Sequence, residues 1–281
     1  MSGPCSRWPA PAKLNLMLHI TGRRPDGYHE LQTLFQLLDF GDELEITPRE
    51  DGEIRRVGSD PGVPLEECLA VRAARLLQAE SGCRLGCDIR LIKRLPQGGG
   101  LGGGSSDAAT VLLALNRVWG LSLDRNRLAA LGQRLGADVP VFVRGRSAWA
   151  EGIGERLRPV ELPERWYLVV TPDVSVSTAA LFAAADLRRD CPPLTPDSAI
   201  RGEGENVFQA PVAARYTPVR EALDWLAGHG EPRLTGTGAS LFAGFDTRNE
   251  AEAALADLPG AWQGFVARGV SRSPVEACLA D

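Results

Sequence analysis

Six of the seven residues from Gly98 to Gly104 are glycine, and Ser105, Ser106 and Asp107 follow directly. Without Cβ atoms, main-chain N–H groups in such a run can crowd around an anion. Apolar residues at Ala108, Val111, Leu112, Leu115 and Val118 predict a helix over 107–119, with Ser105 or Ser106 as its N-cap and its positive dipole end aimed at the same spot. Phosphate is the expected ligand. The plain alternative is a flexible linker, but linkers rarely join an apolar strand to a capped apolar helix. Two common phosphate motifs fail on context. A Walker A loop ends in Gly-Lys-Ser/Thr, and no lysine stands here. Gly98, Gly100 and Gly103 have dinucleotide spacing, yet a helix rather than a strand follows Trp119, and the nearest acid, Asp124, reads as a helix cap. What remains is a glycine-serine loop that wraps a phosphate chain and leaves charge neutralisation to distant residues or to a metal.

Residues elsewhere could supply that chemistry. Lys13 and Asn15 alternate with Leu14 and Leu16 in a period-two pattern over 12–20, so they share one strand face, where Asn15 could meet substrate hydroxyls. Asp138 follows a helix predicted over 124–135 and precedes Pro140, which stiffens the local backbone and should keep Val139 out of a helix. A carboxylate so placed could take the proton of an attacking hydroxyl; a solvated turn aspartate is the alternative. Tyr28 and His29 follow a Pro-Asp-Gly turn, and a second small-residue loop runs Thr235-Gly236-Thr237-Gly238-Ala239-Ser240. Lys93 and Arg94 either flank a nucleotide or end a strand in solvent. Phe182 sits on a short helical pattern near 179–185, where core packing is the plain reading.

These residues require a β-rich first third, with strands over 12–20, 31–38 and 43–47, a helix over 64–80 and a strand over 87–95 leading into the glycines. Strands at 141–143 and 147–150 and a turn at 152–154 precede a division near 155. The second half carries a strand at 166–171, a Pro- and Asp-rich stretch over 190–205, then helix, strand and helix around the loop 234–241 and a last strand near 262–269. A length of 281 residues suits about two domains. The net charge of −5 argues against nucleic acid held by bulk charge, and no apolar run reaches the ~18 residues of a membrane span. Six scattered cysteines and no secretory leader predict a cytoplasmic setting. Cys83 and Cys87 lack a second ligand pair, so zinc is not expected.

The string Pro96-Gln97-Gly98-Gly99-Gly100-Leu101-Gly102-Gly103-Gly104-Ser105-Ser106 resembles the ATP-binding loop of the GHMP kinases, a family that includes galactokinase, homoserine kinase and mevalonate kinase. The segments 11–16, 26–29, 135–140 and 234–239 extend the resemblance over most of the chain, to the branch whose acceptor is a cytidine diphosphate-linked methylerythritol of non-mevalonate isoprenoid synthesis. The resemblance implies a two-domain α+β fold, with an N-terminal ribosomal-protein-S5-like ATP domain over 1–155 and a C-terminal α/β sandwich domain over 156–281. It implies ATP as co-substrate with Mg²⁺, no confident metal ligand set, and a monomer or homodimer with no nucleic acid or membrane partner. Residue by residue, it places Lys13 beside a general base Asp138, Asn15 on the methylerythritol, and Tyr28 and Phe182 on either face of the cytosine. His29 then lies at the base edge, Thr178 near the substrate, and Gly236, Thr237 and Gly238 behind the ATP loop. Two departures stand out. Cys68 replaces an asparagine frequent near the adenine, and Val207 replaces an aspartate after Asn206. Two rivals remain, a kinase of this family for another small alcohol and a catalytically silent nucleotide-binding protein. An aromatic clamp is useless to a substrate without a base, and binding alone needs neither Lys13 nor Asp138.

Overall fold

The computed structural model describes residues 5–58 and 62–280. Two long antiparallel strands, β1 (Ser6–Arg23) and β2 (His29–Arg49), form its spine. Both faces of β1 are covered, since Lys13, Asn15, Met17 and His19 are as buried as Leu14, Leu18 and Ile20. The β1–β2 register shifts between Pro11 and Lys13 and again between Asn15 and Met17. Such bulges re-aim side chains, and here they bracket Lys13 and Asn15. β3 (Ile54–Val57), α1 (Leu69–Ser81) and β4 (Gly86–Ile92) make a parallel crossover, and β4 pairs antiparallel with β2.

Helices α2 (Gly103–Val118), α3 (Arg125–Gln133) and α4 (Val139–Arg144) follow. With α1 they bury Val71, Leu77, Val111, Leu115, Leu128 and Val143 against Phe35, Leu44, Ile46 and Ile89 of the sheet. β5 (Ala148–Gly152) pairs with β2 and with β6 (Arg156–Pro159), so this hairpin crosses position 155.

The second half comprises β7 (Trp166–Thr171), α5 (Thr178–Ala183), α6 (Pro196–Ile200), α7 (Gln209–Arg215), α8 (Thr217–Leu226), β8 (Arg233–Leu234), β9 (Leu241–Phe245), α9 (Arg248–Ala256), β10 (Gln263–Val270) and α10 (Val275–Ala280). Strand order β10-β7-β9-β8 gives an antiparallel sheet, joined to β2 through Gly269 and Val270. Its core includes Leu168, Val170, Leu181, Phe208, Val219, Leu226 and Leu241. A third cluster bridges the halves, with Leu14 and Leu38 meeting Val169, Tyr167 and Phe242. Leu101 belongs to this cluster, so the one non-glycine residue of the 98–104 run plugs the loop into the core.

Three local expectations are corrected, the first being that Val139 opens α4 rather than staying out of a helix. Residues 141–143 are helical, not strand: Pro140 occupies the first turn of α4, where a missing N–H costs nothing, and Val139 packs into the space left by Gly132. The N-cap of α2 is Gly102 rather than a serine, and the helix starts inside the glycine run. Among the described residues no helix is long and apolar enough to cross a membrane.

The β1–β2 spine depends on close strand contact at Gly41, where an added Cβ would overlap the Ala10 carbonyl oxygen, whereas one at Gly22 meets nothing within 4 Å. Chemical denaturation should find Gly41→Ala destabilised by about 2–3 kcal/mol and Gly22→Ala within about 0.5 kcal/mol of the parent. Equal effects would contradict this packing.

Candidate active site

A cavity of about 950 Å³ lies between the glycine loop, β1, the start of α4 and the second small-residue loop. Its wall gathers Lys13, Asn15, Tyr28, His29, Pro96 to Ser105, Asp138, Thr178, Phe182 and Gly236 to Gly238. Ser106 is the exception: it is fully buried and takes no part in the cavity wall. Its Oγ has no hydrogen-bond partner among the described residues.

The Lys13 side chain is almost wholly buried, yet its ammonium group has two hydrogen-bond acceptors and a carboxylate beside it. Nζ donates to Asn15 Oδ1 at 2.6 Å and to the Gly100 carbonyl at 2.8 Å, and lies 3.4 Å from Asp138 Oδ2. Two hydrogen bonds and one ion pair thus surround the desolvated ammonium. Its stem passes Gly102, where a Cβ would press on Lys13 Cε and the Phe142 ring. Its backbone N–H donates to the Leu101 carbonyl at 3.0 Å. Asp138 caps the start of α4 without a side-chain cap bond, leaving a carboxylate that is 34% exposed toward the cavity.

Asn15 is fully engaged on its oxygen side by Lys13, and its amide donates to Thr33 Oγ1 at 2.9 Å. The backbone N–H of Asn15 donates to Thr235 Oγ1 at 3.0 Å, linking β1 to the second loop. That loop docks on the first: Ser240 N–H donates to the Gly99 carbonyl at 3.1 Å, and a Cβ on Gly100, whose φ is +76°, would overlap the Thr235 carbonyl oxygen. Asn206 holds the second loop from behind, its Nδ2 donating to the carbonyls of Leu234 and Gly236 at 2.8 Å each. Val207, at the position of the altered aspartate, is simply core. Thr178 and Thr237 share a hydroxyl hydrogen bond of 2.7 Å.

At the other end, Tyr28 is 61% exposed on its turn, which Asp26 ties by accepting from the Tyr28 N–H at 3.2 Å. The His29 ring lies 5.2 Å from that of Phe182, tilted by 33°, and Phe182 makes an edge contact with Phe208 at 4.9 Å. Phe182 is therefore both packed and at the cavity. Burial, then Arg189 and Arg23, lower the His29 pKa and favour a neutral imidazole.

Sequence reasoning missed a buried triad under the glycine loop. Lys93 Nζ contacts Asp42 and lies 2.7 Å from Asp107 Oδ2, so it is not a solvated strand end. Arg94, by contrast, is half-exposed and pairs with Glu43. Asp42 also accepts the backbone N–H groups of Arg94 and Leu95, at 2.6 and 2.9 Å. Those donors stabilise its charge, and the burden of two carboxylates on one lysine falls on Asp107. Burial pushes the Asp107 carboxyl up to about 7 against the pull of Lys93, with the Asp42 charge adding to the rise. Two carboxylates raise the Lys93 pKa despite burial. An acidic residue early in α2 has an ordinary explanation in the helix dipole, so sequence offered no signal for this pairing. Cys68, buried, lines the cavity on the same side.

Residues 69–146 match the family model described as the GHMP kinases N terminal domain. The chain is 61% identical over 266 residues to the 4-diphosphocytidyl-2-C-methyl-D-erythritol kinase of Alkalilimnicola ehrlichii, covering 95% of this chain and 91% of that one. It is 56% identical over 272 residues to the enzyme of the same name from Nitrosococcus oceani, covering 97% of each. A crystal structure of a 4-(cytidine 5'-diphospho)-2C-methyl-D-erythritol kinase superposes with a TM-score of 0.83 at 35% identity, covering 94% of this chain and all of that one.

The triad predicts a pH signature. Because the native state keeps a proton on Asp107 up to about 7 while the unfolded chain loses it near 3.8, native stability should fall as pH rises between those values. Asp107→Asn removes that titration, so denaturant melts at a series of pH values should show the variant gaining on the parent from about pH 4 to about pH 7 and levelling above. The opposite slope would mean an Asp107 that is ionised throughout.

Proposed function

The chain belongs to the 4-diphosphocytidyl-2-C-methyl-D-erythritol kinases, a branch of the GHMP kinases, and from this we propose that Lys13 and Asp138 carry the phosphoryl transfer. The reaction moves the γ-phosphoryl group of ATP to the 2-hydroxyl of 4-diphosphocytidyl-2-C-methyl-D-erythritol, giving the 2-phosphate for isoprenoid precursor synthesis. Asp138 accepts the hydroxyl proton as the oxygen attacks phosphorus; the new P–O bond forms as the bond to ADP breaks. Lys13 orients that carboxylate and offers positive charge to the transferred group. The observation that supports this division of labour is the Lys13 ammonium held between the Gly100 carbonyl and Asp138, one on the glycine loop and the other at the start of α4.

Pro96 to Ser105 wrap the triphosphate, and Gly236, Thr237 and Gly238 back the loop from the other half. Asn15, bonded to Lys13 and Thr33, sets the lysine and has one amide hydrogen left for a substrate hydroxyl. Tyr28 and Phe182 hold the cytosine faces, His29 its edge, and Thr178 lies near the substrate. The N-terminal half carries ATP and the catalytic pair, and the C-terminal half completes the substrate pocket. The β5–β6 hairpin spans 155, which supports a junction after Pro159 rather than at 155.

Mg²⁺ suits this site as an ion shared with the triphosphate. No group of three His, Cys, Asp or Glu among the described residues could cage a metal, whereas Mg²⁺ usually takes one or two carboxylates with phosphate and water. Asp138 is the carboxylate that could serve it, and when bound the ion neutralises phosphate charge. Six free cysteines accord with a reducing cytoplasm.

A coupled ADP-release assay should give turnover with the cytidine substrate and none above background with mevalonate, homoserine or galactose. Faster release with any of those three would overturn the substrate. Lys13→Met and Asp138→Asn should each lower kcat by about 10²–10⁴-fold while ATP binding persists. Tyr28→Ala should raise KM for the cytidine substrate by about tenfold with KM for ATP unchanged; equal effects on both would refute base stacking.

A further inference from the structure

His29 Nε2 faces the guanidinium of Arg189, whose Nε lies 3.1 Å away. A guanidinium has only donors and stays charged, so the direction of this bond is fixed: Arg189 donates and Nε2 accepts. The imidazole is then neutral and carries its proton on Nδ1. Arg189 is itself held in place. Nη1 donates to the Leu187 carbonyl at 2.9 Å, and Nη2 donates to the carbonyls of Phe182 and Ala184 at 2.9 and 2.8 Å. The Phe182 and Ala184 carbonyls close the C-terminal end of α5, the helix that carries Thr178 and Phe182, and Leu187 lies in the chain just after it. One guanidinium thereby ties the histidine on β2 to the helix bearing the ring beside it, 5.2 Å between centroids. Among the described residues Nδ1 has no protein partner, and His29 lines the cavity.

We propose that Arg189 is a positioning residue that fixes His29 as an Nδ1–H donor, so that the base subsite accepts a pyrimidine with a lone pair at N3 and rejects one with a hydrogen there. The proposal rests on the reading of Tyr28, His29 and Phe182 as the base subsite. Cytosine offers an acceptor at N3, which an Nδ1–H can reach directly. Uracil carries N3–H, so two donors would face each other and both would be left unpaired in a half-buried site. The other tautomer would reverse this preference, since its Nδ1 would accept from uracil N3–H. Protonation of His29 would abolish the Nε2 acceptor and place a second cation against Arg189, which accords with its lowered pKa. Sequence alone could not single out Arg189, which sits in an Arg-Arg pair at 188–189 whose other member, Arg188, is exposed and pairs with Glu205.

The test combines ring nitrogen NMR with substrate choice. Only three histidines need assignment. In the parent enzyme the His29 resonances should report the Nδ1–H tautomer, and in Arg189→Met a mixture with Nε2–H. In steady-state assays the ratio of kcat/KM for cytidine- over uridine-diphosphate-linked methylerythritol should fall roughly 10-fold or more in Arg189→Met, with KM for ATP unchanged. Arg189→Lys, which keeps a donor for Nε2 but not the fork that closes α5, should retain the Nδ1–H tautomer and much of the preference. An Nε2–H tautomer in the parent overturns the proposal without any substitution. A variant at 189 that folds, loses the bond to Nε2 and keeps both tautomer and preference also overturns it. A parent enzyme that handles both bases equally would instead remove the base-subsite reading on which it stands.

Discussion

A buried ammonium group organises this molecule. Lys13 sits in a strand covered on both faces, where an unpaired positive charge would cost several kcal/mol. Its partners come from three pieces of chain: the Gly100 carbonyl on the glycine loop and Asn15 on its own strand accept hydrogen bonds, and Asp138 at the start of α4 forms an ion pair. Satisfying that one charge therefore requires the loop, the strand and the helix to arrive together. The bulges on either side of Lys13 and Asn15 show how the strand accommodates this demand.

The glycine run meets two requirements at once. Its open backbone suits the phosphate role proposed for it, and its lack of Cβ atoms lets other segments approach closely, Thr235 at Gly100 and Phe142 at Gly102. Leu101 supplies what glycine cannot, a side chain anchored in the cluster shared by both halves. A loop of glycine alone would cost more entropy to order; one buried leucine and two backbone hydrogen bonds, Lys13 to Leu101 and Ser240 to Gly99, hold it open and in place. The second loop is itself fixed by Asn206, so the C-terminal half braces the glycine loop from behind.

Much of this was legible from residue types. The glycine loop announces itself by composition, and the alternation around Lys13 and Asn15 placed both on one face of a strand that is a strand. The capping aspartate Asp124 and α3 are where local rules put them. The errors have local causes. Val141 to Val143 are β-branched or aromatic and invite a strand assignment, but Pro140 in a first turn, Gly145 in a left-handed C-cap and the fit of Val139 to Gly132 make a short helix. The serines after the glycines look like caps, yet the true N-cap is Gly102, three or four residues earlier, which buries Ser106 instead of presenting it. What was invisible was non-local. Asp42 meets Lys93 and Asp107 across more than fifty residues of chain, and Arg189 reaches His29 across 160. No periodicity encodes such pairings, because neither partner departs from the pattern of its own element.

The central claim is that Lys13 and Asp138 act as one unit, so the most direct test is a double-mutant cycle on kcat with Lys13→Met, Asp138→Asn and the combined variant. Residues that depend on each other for one step lose their function together. The expected result is a combined variant no slower than the slower single variant, within about threefold. Losses that multiply, with the logarithms of the two single effects adding in the double variant, would contradict the account.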